Sequence, residues 1–294
     1  MKAGLSALYY SGAGGAFAPL TRGAGVIFMM HRVSPDPIKD FEPNRILRIT
    51  PEFLDAVVQR VKDQGFEIVA VGDIPARLES RQARPFACFT FDDGYRDNIQ
   101  YAFPIMRRHG APYALYVPTD YPDGRGDLWW LVLEEAIRRL DRVPADIIAR
   151  GTSLPAATSL EKTRAFKKLY WPLRMMPEAA ARRAVAAIAK AAGYDRAQHC
   201  AELIMTWDEL RLAARDPLLT VGAHTCRHLA VAKLSEGEAR REMEESRARI
   251  EAELGRTCEH FSFPYGCELA AGPRDFALAS DLGFKTAVTT RKGV

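Results

Sequence analysis

Two adjacent carboxylates, Asp92 and Asp93, stand in TFDDG at the end of the apolar run FACFTF, and two histidines, His224 and His228, stand in HTCRH directly after the run LLTVGA. Taken alone, the acids suit an ordinary tight turn with Gly94 at positive φ, and the histidines suit a solvent-facing loop. Together they have a sharper use. Two imidazoles and one carboxylate make a catalytic zinc set that leaves a position open for water or substrate. Asp93 would supply that carboxylate, and Asp92 would be free as a base. Adjacent acids need not do the same job: a ligating carboxylate is held ionised by the cation, while its neighbour can take a proton.

Spacing sets a condition on this use. In an extended strand, residues four apart lie about 13 Å apart at roughly 3.3 Å per residue, whereas on a helical turn they come within about 6 Å. His224 and His228 can share a metal only if the chain curls just after Ala223, and a loop from strand to helix supplies such a curl.

The elements that would position these residues alternate along the chain. Candidate strands are GVIFMM (25–30), FEIVAV (66–71), FACFTF (86–91), YALYV (113–117), LLTVGA (218–223), HFSFP (260–264) and KTAVT (285–289). Between them lie amphipathic helices. One has Thr50 as N-cap, Pro51 in its first turn, and Leu54, Val57, Val58 and Val61 on one face before Gly65. Another opens with a capping box, Ser235 and Glu238, and closes at Gly255. Such alternation predicts parallel strands joined by right-handed crossovers. About seven strands buried on both faces favour a (β/α) barrel over an open doubly wound sheet, and no GxGxxG follows the first strand. Residues from about 121 to 205 are too long for a crossover and read as a helical insertion, and residues 1–24 read as an N-terminal extension with one short helix. His31, Asp92, Asp93, His224, His228 and Tyr265 all fall at carboxyl ends of strands, the edge where ligands bind in such folds.

TFDDG, HTCRH and FSFPYG together resemble the first three motifs of the NodB-homology polysaccharide deacetylases, carbohydrate esterase family 4, over nearly the whole chain from residue 25. The resemblance implies a distorted (β/α) barrel and metal-dependent removal of N-acetyl groups from the sugars of an oligo- or polysaccharide. It implies Asp92 as general base, with Asp93, His224 and His228 holding the metal, most simply zinc. It also implies the Tyr265 N–H as an oxyanion donor. Two departures stand out: Ser262 occupies the place of an arginine that orients the base, and no histidine follows His260 to act as general acid. An alkylamine leaving group needs such an acid. His31 is the candidate, because in a closed barrel the first strand lies beside the last, and FMMHRVSPD resembles the start of the permuted poly-N-acetylglucosamine deacetylase branch.

Trp129, Trp130 and Pro264 are candidates for touching the sugar, although the tryptophans also suit a helix start packed on the barrel. Arg96, Asp97 and Asn98 either hydrogen-bond around the site or simply begin the next helix, the latter being preferred, and Cys226 reads as filler between the ligands. The same chemistry on a formyl or cyclic amide, or an inactive carbohydrate-binding protein, remain alternatives at this stage. An iron oxygenase would have no use for adjacent aspartates.

Composition narrows the partners. The chain has 294 residues, 48% of them apolar, enough for a substantial core. Its 41 basic and 37 acidic residues are interspersed, so no track for a nucleic acid is expected. Lys167-Lys168 and Arg182-Arg183 read as solvated helix surface. Five cysteines without CxxC spacing argue against a disulfide framework and a cysteine-based zinc site and permit a reducing compartment. The N-terminal stretch makes a weak signal peptide, which leaves the location open with the cytoplasm slightly favoured. No segment reads as a stable membrane span.

Overall fold

The runs of branched and aromatic residues form seven parallel strands: β1 (Gly25–Met30), β2 (Glu67–Ile68), β3 (Phe86–Asp92), β4 (Tyr113–Val117), β5 (Leu219–Ala223), β6 (His260–Ser262) and β7 (Thr286–Val288). The computed structural model describes residues 23–80 and 84–291. The short helix expected in the N-terminal extension lies outside the described residues. The strands pair in the order β1-β3-β4-β5-β6-β7, and β2 also pairs with β3. Every one of these pairings is parallel.

β3 and β4 are buried along their whole lengths, as their unbroken apolar sequences require. Strand β2 is shorter than its sequence suggests, for a topological reason. It pairs with Phe86 and Ala87 of β3, whereas β4 pairs with Phe89–Asp92. One flank of β3 is thus shared between two strands, and β2 must end where β4 begins.

Ten helices are described: α1 (Pro51–Asp63), α2 (Ile74–Glu79), α3 (Phe103–Arg108), α4 (Trp129–Arg139), α5 (Ser159–Met175), α6 (Glu178–Ala191), α7 (Arg196–Leu203), α8 (Trp207–Ala213), α9 (Glu236–Leu254) and α10 (Pro273–Asp281). In α1 the Thr50 side chain accepts from the Phe53 N–H, and Leu54, Val58 and Val61 are buried. In α9 the Ser235–Glu238 capping box is formed, and Gly255 ends the helix at φ 64°. Between β4 and α8 the chain builds α4 to α7 around a second apolar core. This stretch also holds an antiparallel pair, Arg142–Pro144 with Ser153–Pro155, that the helical reading did not contain.

The result is a distorted (β/α) barrel, but a curled and open one. Among the described residues nothing pairs β7 with β1, so the closure expected from the sequence is not made by backbone hydrogen bonds. His31 is placed by a different neighbour. Met30 pairs with Phe91, which sets His31 beside Asp92 at the end of β3.

Register carries the remaining strand ends to the same edge. Asp92 pairs with Tyr116, Val117 with Ala223, Ala223 with Phe261, and Ser262 with Val288. The packing that holds β5 in this array leaves no room at Gly222, where an added Cβ would meet the Tyr116 ring at 2.6 Å and the His260 carbonyl at 2.8 Å. Gly222→Ala is therefore expected to destabilise the fold by about 1–3 kcal/mol, read as a lower urea midpoint. An unchanged midpoint would mean that the strands part at no cost.

Candidate metal and catalytic site

Four non-glycine residues among those described have a left-handed backbone: Asp93 (φ 72°), Thr225 (φ 63°), His228 (φ 55°) and Tyr265 (φ 63°). All four lie just beyond the ends of β3, β5 and β6. Each such conformation costs on the order of 1 kcal/mol or more, and here the bends aim side chains at one point. The left-handed turns at Thr225 and His228 supply the curl that HTCRH requires, and the two imidazole centroids come within 4.9 Å. Buried Glu242 of α9 holds that loop by accepting from the Cys226 N–H at 2.9 Å and the Arg227 N–H at 3.0 Å. The Cys226 thiol faces the Glu242 carbonyl and takes no part in the cluster.

Asp93, His224 and His228 converge so that one ligand atom of each lies within 4.8 Å of the others. The Asp93 Oδ1 is 3.3 Å from His228 Nε2 and 3.7 Å from His224 Nε2. All three side chains are buried. His224 Nδ1 donates to the Ser262 carbonyl at 2.7 Å, which fixes the tautomer and leaves Nε2 free to ligate.

This donor set fits a divalent cation. Both Asp93 oxygens are buried without a hydrogen bond, an expensive state for an ionised carboxylate. The Tyr95 hydroxyl lies beside them but falls short of good geometry. Burial pushes the Asp93 carboxyl up to about 7 and the His224 imidazole down to about 3. Two neutral imidazoles and a carboxylate that lacks a counter-charge are what a cation with nitrogen and oxygen ligands requires.

Asp92 is buried beside the cluster, and one of its oxygens has no partner. The other accepts a long hydrogen bond, 3.5 Å, from the Ser262 hydroxyl, the residue standing where an arginine was expected. Burial and the neighbouring Asp93 charge raise its pKa well above the usual carboxylate range. His31 is half-buried and lines the same cleft, and burial lowers its imidazole to about 4. The Tyr265 N–H makes no hydrogen bond to a described residue. Its ring packs on His228 at 4.6 Å, and its hydroxyl accepts from Trp129 Nε1 at 2.8 Å.

A cleft of about 260 Å³ opens on these groups, with Met29 and His31 on one side and Thr290 among its other lining residues. The end of β1 and the segment just after β7 therefore border one space although the two strands do not pair among the described residues. Of the expected sugar contacts, only Trp130 lines it, packed on His228 at 4.9 Å. Trp129 is 2% exposed and stacks on Tyr170, so it braces Tyr265 rather than offering a platform. Pro264 is buried and does not line the cleft.

Two residues at the site, Trp171 and Arg174, were not singled out from the sequence, and others that were take a different role from the one preferred there. Trp171 of α5 lines the cleft and is 61% exposed, and Arg174 lies one turn further along the same helix. Asn98 donates to the His31 carbonyl at 3.0 Å, and Asp97 pairs with Arg32 at 2.8 Å while accepting from the Val33 N–H. These two do more than open the next helix, since they anchor the segment that carries His31. Arg182 is not solvated surface either: it is half-buried, and donates to the Asp127 and His228 carbonyls. A capture of neighbouring carbonyls by a helix residue leaves no mark in local sequence.

The sequence model of the polysaccharide deacetylase family matches this chain over residues 79–197 and 173–287. The two matches carry the aspartate pair and the HTCRH segment respectively, and they meet inside the α4–α7 stretch. No match was found among proteins of curated function. Among solved structures, a Streptococcus pyogenes deacetylase in complex with acetate is 15% identical, covering 91% of this chain and 84% of its own, with a TM-score of 0.56. A de-N-acetylase from Aggregatibacter actinomycetemcomitans is 15% identical, with coverages of 91% and 88% and a TM-score of 0.55. IcaB from Ammonifex degensii is 15% identical, with coverages of 91% and 84% and a TM-score of 0.52. At such identities these likenesses establish the shared fold.

Proposed function

The chain belongs to the polysaccharide deacetylase family, and from that premise we propose that it is a metal-dependent hydrolase that removes N-acetyl groups from amino sugars of an oligo- or polysaccharide. The observation that carries the reading is the buried cluster of Asp93, His224 and His228 with Asp92 beside it. The solved neighbours named as deacetylases, one of them holding acetate, support it.

In this reading Asp93 Oδ1 and the Nε2 atoms of His224 and His228 hold the cation, with zinc the preferred identity. When bound, it supplies Lewis acidity at the acetyl carbonyl and lowers the pKa of an adjacent water. Asp92 takes the proton from the attacking water, a role suited to a carboxylate whose burial makes it more basic than usual. The free N–H of Tyr265 donates to the oxyanion that forms as water adds to the acetyl carbon. Collapse breaks the C–N bond, giving acetate and an amine.

His31 delivers the proton to the departing nitrogen. Its imidazole is neutral at rest because burial lowers its pKa to about 4. The proton it gives is therefore taken up during turnover, and the balance closes because the proton that Asp92 removes from the attacking water is the one the departing nitrogen finally gains. Acetate release from N-acetylglucosamine oligomers tests the reading, and His31→Ala should lower it by about 10²-fold or more with bound metal unchanged. Full activity of that variant would remove His31 from the mechanism. Wild-type protein that binds metal yet releases no acetate would contradict the reading itself.

A further inference from the structure

Arg174 is a charged group in the cleft that the proposed hydrolysis leaves unused. It projects from α5 and lines the cleft together with Trp171, Tyr265 and Cys267, yet only 9% of its surface is exposed. Its guanidinium lies 3.7 Å from the centroid of the Tyr265 ring, and its nearest polar contact across the fold is the Cys267 sulfur at 3.9 Å. Among the described residues no carboxylate pairs with it.

The neighbouring cations show how unusual this is. Arg182, on the next helix α6, is matched by Asp127 and Glu178, and Lys233 by Glu178. Buried charges are normally paired in this way. Arg174 does not stand in for the arginine expected at Ser262 either, because among the described residues the one side-chain hydrogen bond to Asp92 comes from the Ser262 hydroxyl. A buried guanidinium fork without a counter-charge, opening onto a substrate cleft, is a ready receptor for a planar or tetrahedral anion.

Building on the deacetylase reading, we infer that the preferred substrate is an acidic glycan, with a carboxylate or phosphate on or next to the N-acetylated sugar and bound by Arg174. Trp171, exposed one turn earlier on α5, offers the face on which the neighbouring sugar ring stacks. Both residues come from the segment between β4 and β5, so the α4–α7 elements set specificity while the strand ends supply the chemistry.

Calorimetry on the full chain with three probes tests this: neutral N-acetylglucosamine tetramer, a glucuronate–N-acetylglucosamine tetrasaccharide, and N-acetylglucosamine 1-phosphate. Wild type should bind one anionic probe at least about 10-fold more tightly than the neutral one, the magnitude of a charge-assisted hydrogen bond. Which anion is preferred identifies the source of the charge. Arg174→Met should weaken that probe by about 10- to 100-fold and the neutral one by less than about 3-fold, with Arg174→Lys in between.

Equal binding of neutral and anionic probes by wild type, equal weakening of both by Arg174→Met, or no binding of either anion would overturn the inference. Acetate release from the same probes separates the two claims. Selective binding without acetate release would sink the deacetylase reading alone, whereas acetate release without charge preference would sink only the role of Arg174.

Discussion

Asp92→Asn is expected to lower acetate release by about 10²- to 10⁴-fold, the usual worth of a positioned general base, while the protein folds normally and binds metal as before. The substitution is close to isosteric, and Asp92 lies outside the three-residue cluster. Its pKa is raised on folding, first by burial and then by the Asp93 charge. A carboxyl whose folded-state pKa lies above its unfolded value binds protons more tightly in the native state. Its ionisation therefore costs stability as pH rises above the unfolded value. Removing that charge should leave the metal-stripped variant at least as stable as wild type near neutral pH. Loss of activity without loss of stability separates a proton-transfer role from a structural one. Activity within about 10-fold of wild type would exclude Asp92 as the base.

His224→Ala should abolish both metal uptake and the stability that metal confers. His224 supplies one of the three clustered donors found among the described residues, and its orientation is fixed by the Ser262 carbonyl at 2.7 Å. A ligand present at a thousandfold over its Kd stabilises the native state by about 4 kcal/mol. In a chain of this size that raises Tm by on the order of 10 °C. Zinc added to stripped wild type should produce this shift and a parallel gain of activity, and zinc added to His224→Ala should produce neither. An equal thermal shift in both proteins would place the metal elsewhere. His228→Ala provides the matching control from the other side of the HTCRH turn.

Much of this arrangement was legible before any coordinates, because strand ends in a parallel sheet obey a simple geometric rule. The bounds of GVIFMM and YALYV coincide with β1 and β4, FACFTF falls one residue short of β3, which runs on to Asp92, and each of the other four apolar runs contains a strand. The convergence of His31, Asp92, Asp93, His224, His228 and Tyr265 followed from those ends alone. FEIVAV misled in length, because no local pattern reveals that two strands divide one flank of β3. Barrel closure misled for a similar reason: whether β7 reaches β1 depends on curvature accumulated over the whole sheet.

The helical segment between β4 and β5 was least legible. WW in a helix start drew attention to Trp129, but packing buries it, and the exposed Trp171 sits in KKLYWPLRMM, which reads as ordinary helix. Arg174 and Arg182 look alike in sequence. Glu178, four residues before Arg182 on α6, is a partner the sequence offers, but only the tertiary arrangement adds Asp127 and leaves Arg174 without a paired carboxylate among the described residues. The left-handed residues at Asp93, Thr225, His228 and Tyr265 were equally hidden, since few non-glycine residues adopt that conformation, and even Asp and His, which tolerate it better than Thr or Tyr, do so only occasionally. Their concentration at one edge of the sheet shows where the fold departs from local preference to build a site.

The central claim is that hydrolysis of an N-acetyl group requires a divalent cation on Asp93, His224 and His228. Its most direct test is acetate release from N-acetylated oligosaccharides, neutral and acidic, by protein stripped with a chelator and then refilled with zinc. The stripped protein should release no acetate and the refilled protein should recover it. Undiminished release after complete stripping, or none from any of these sugars with zinc stoichiometrically bound, would contradict the account.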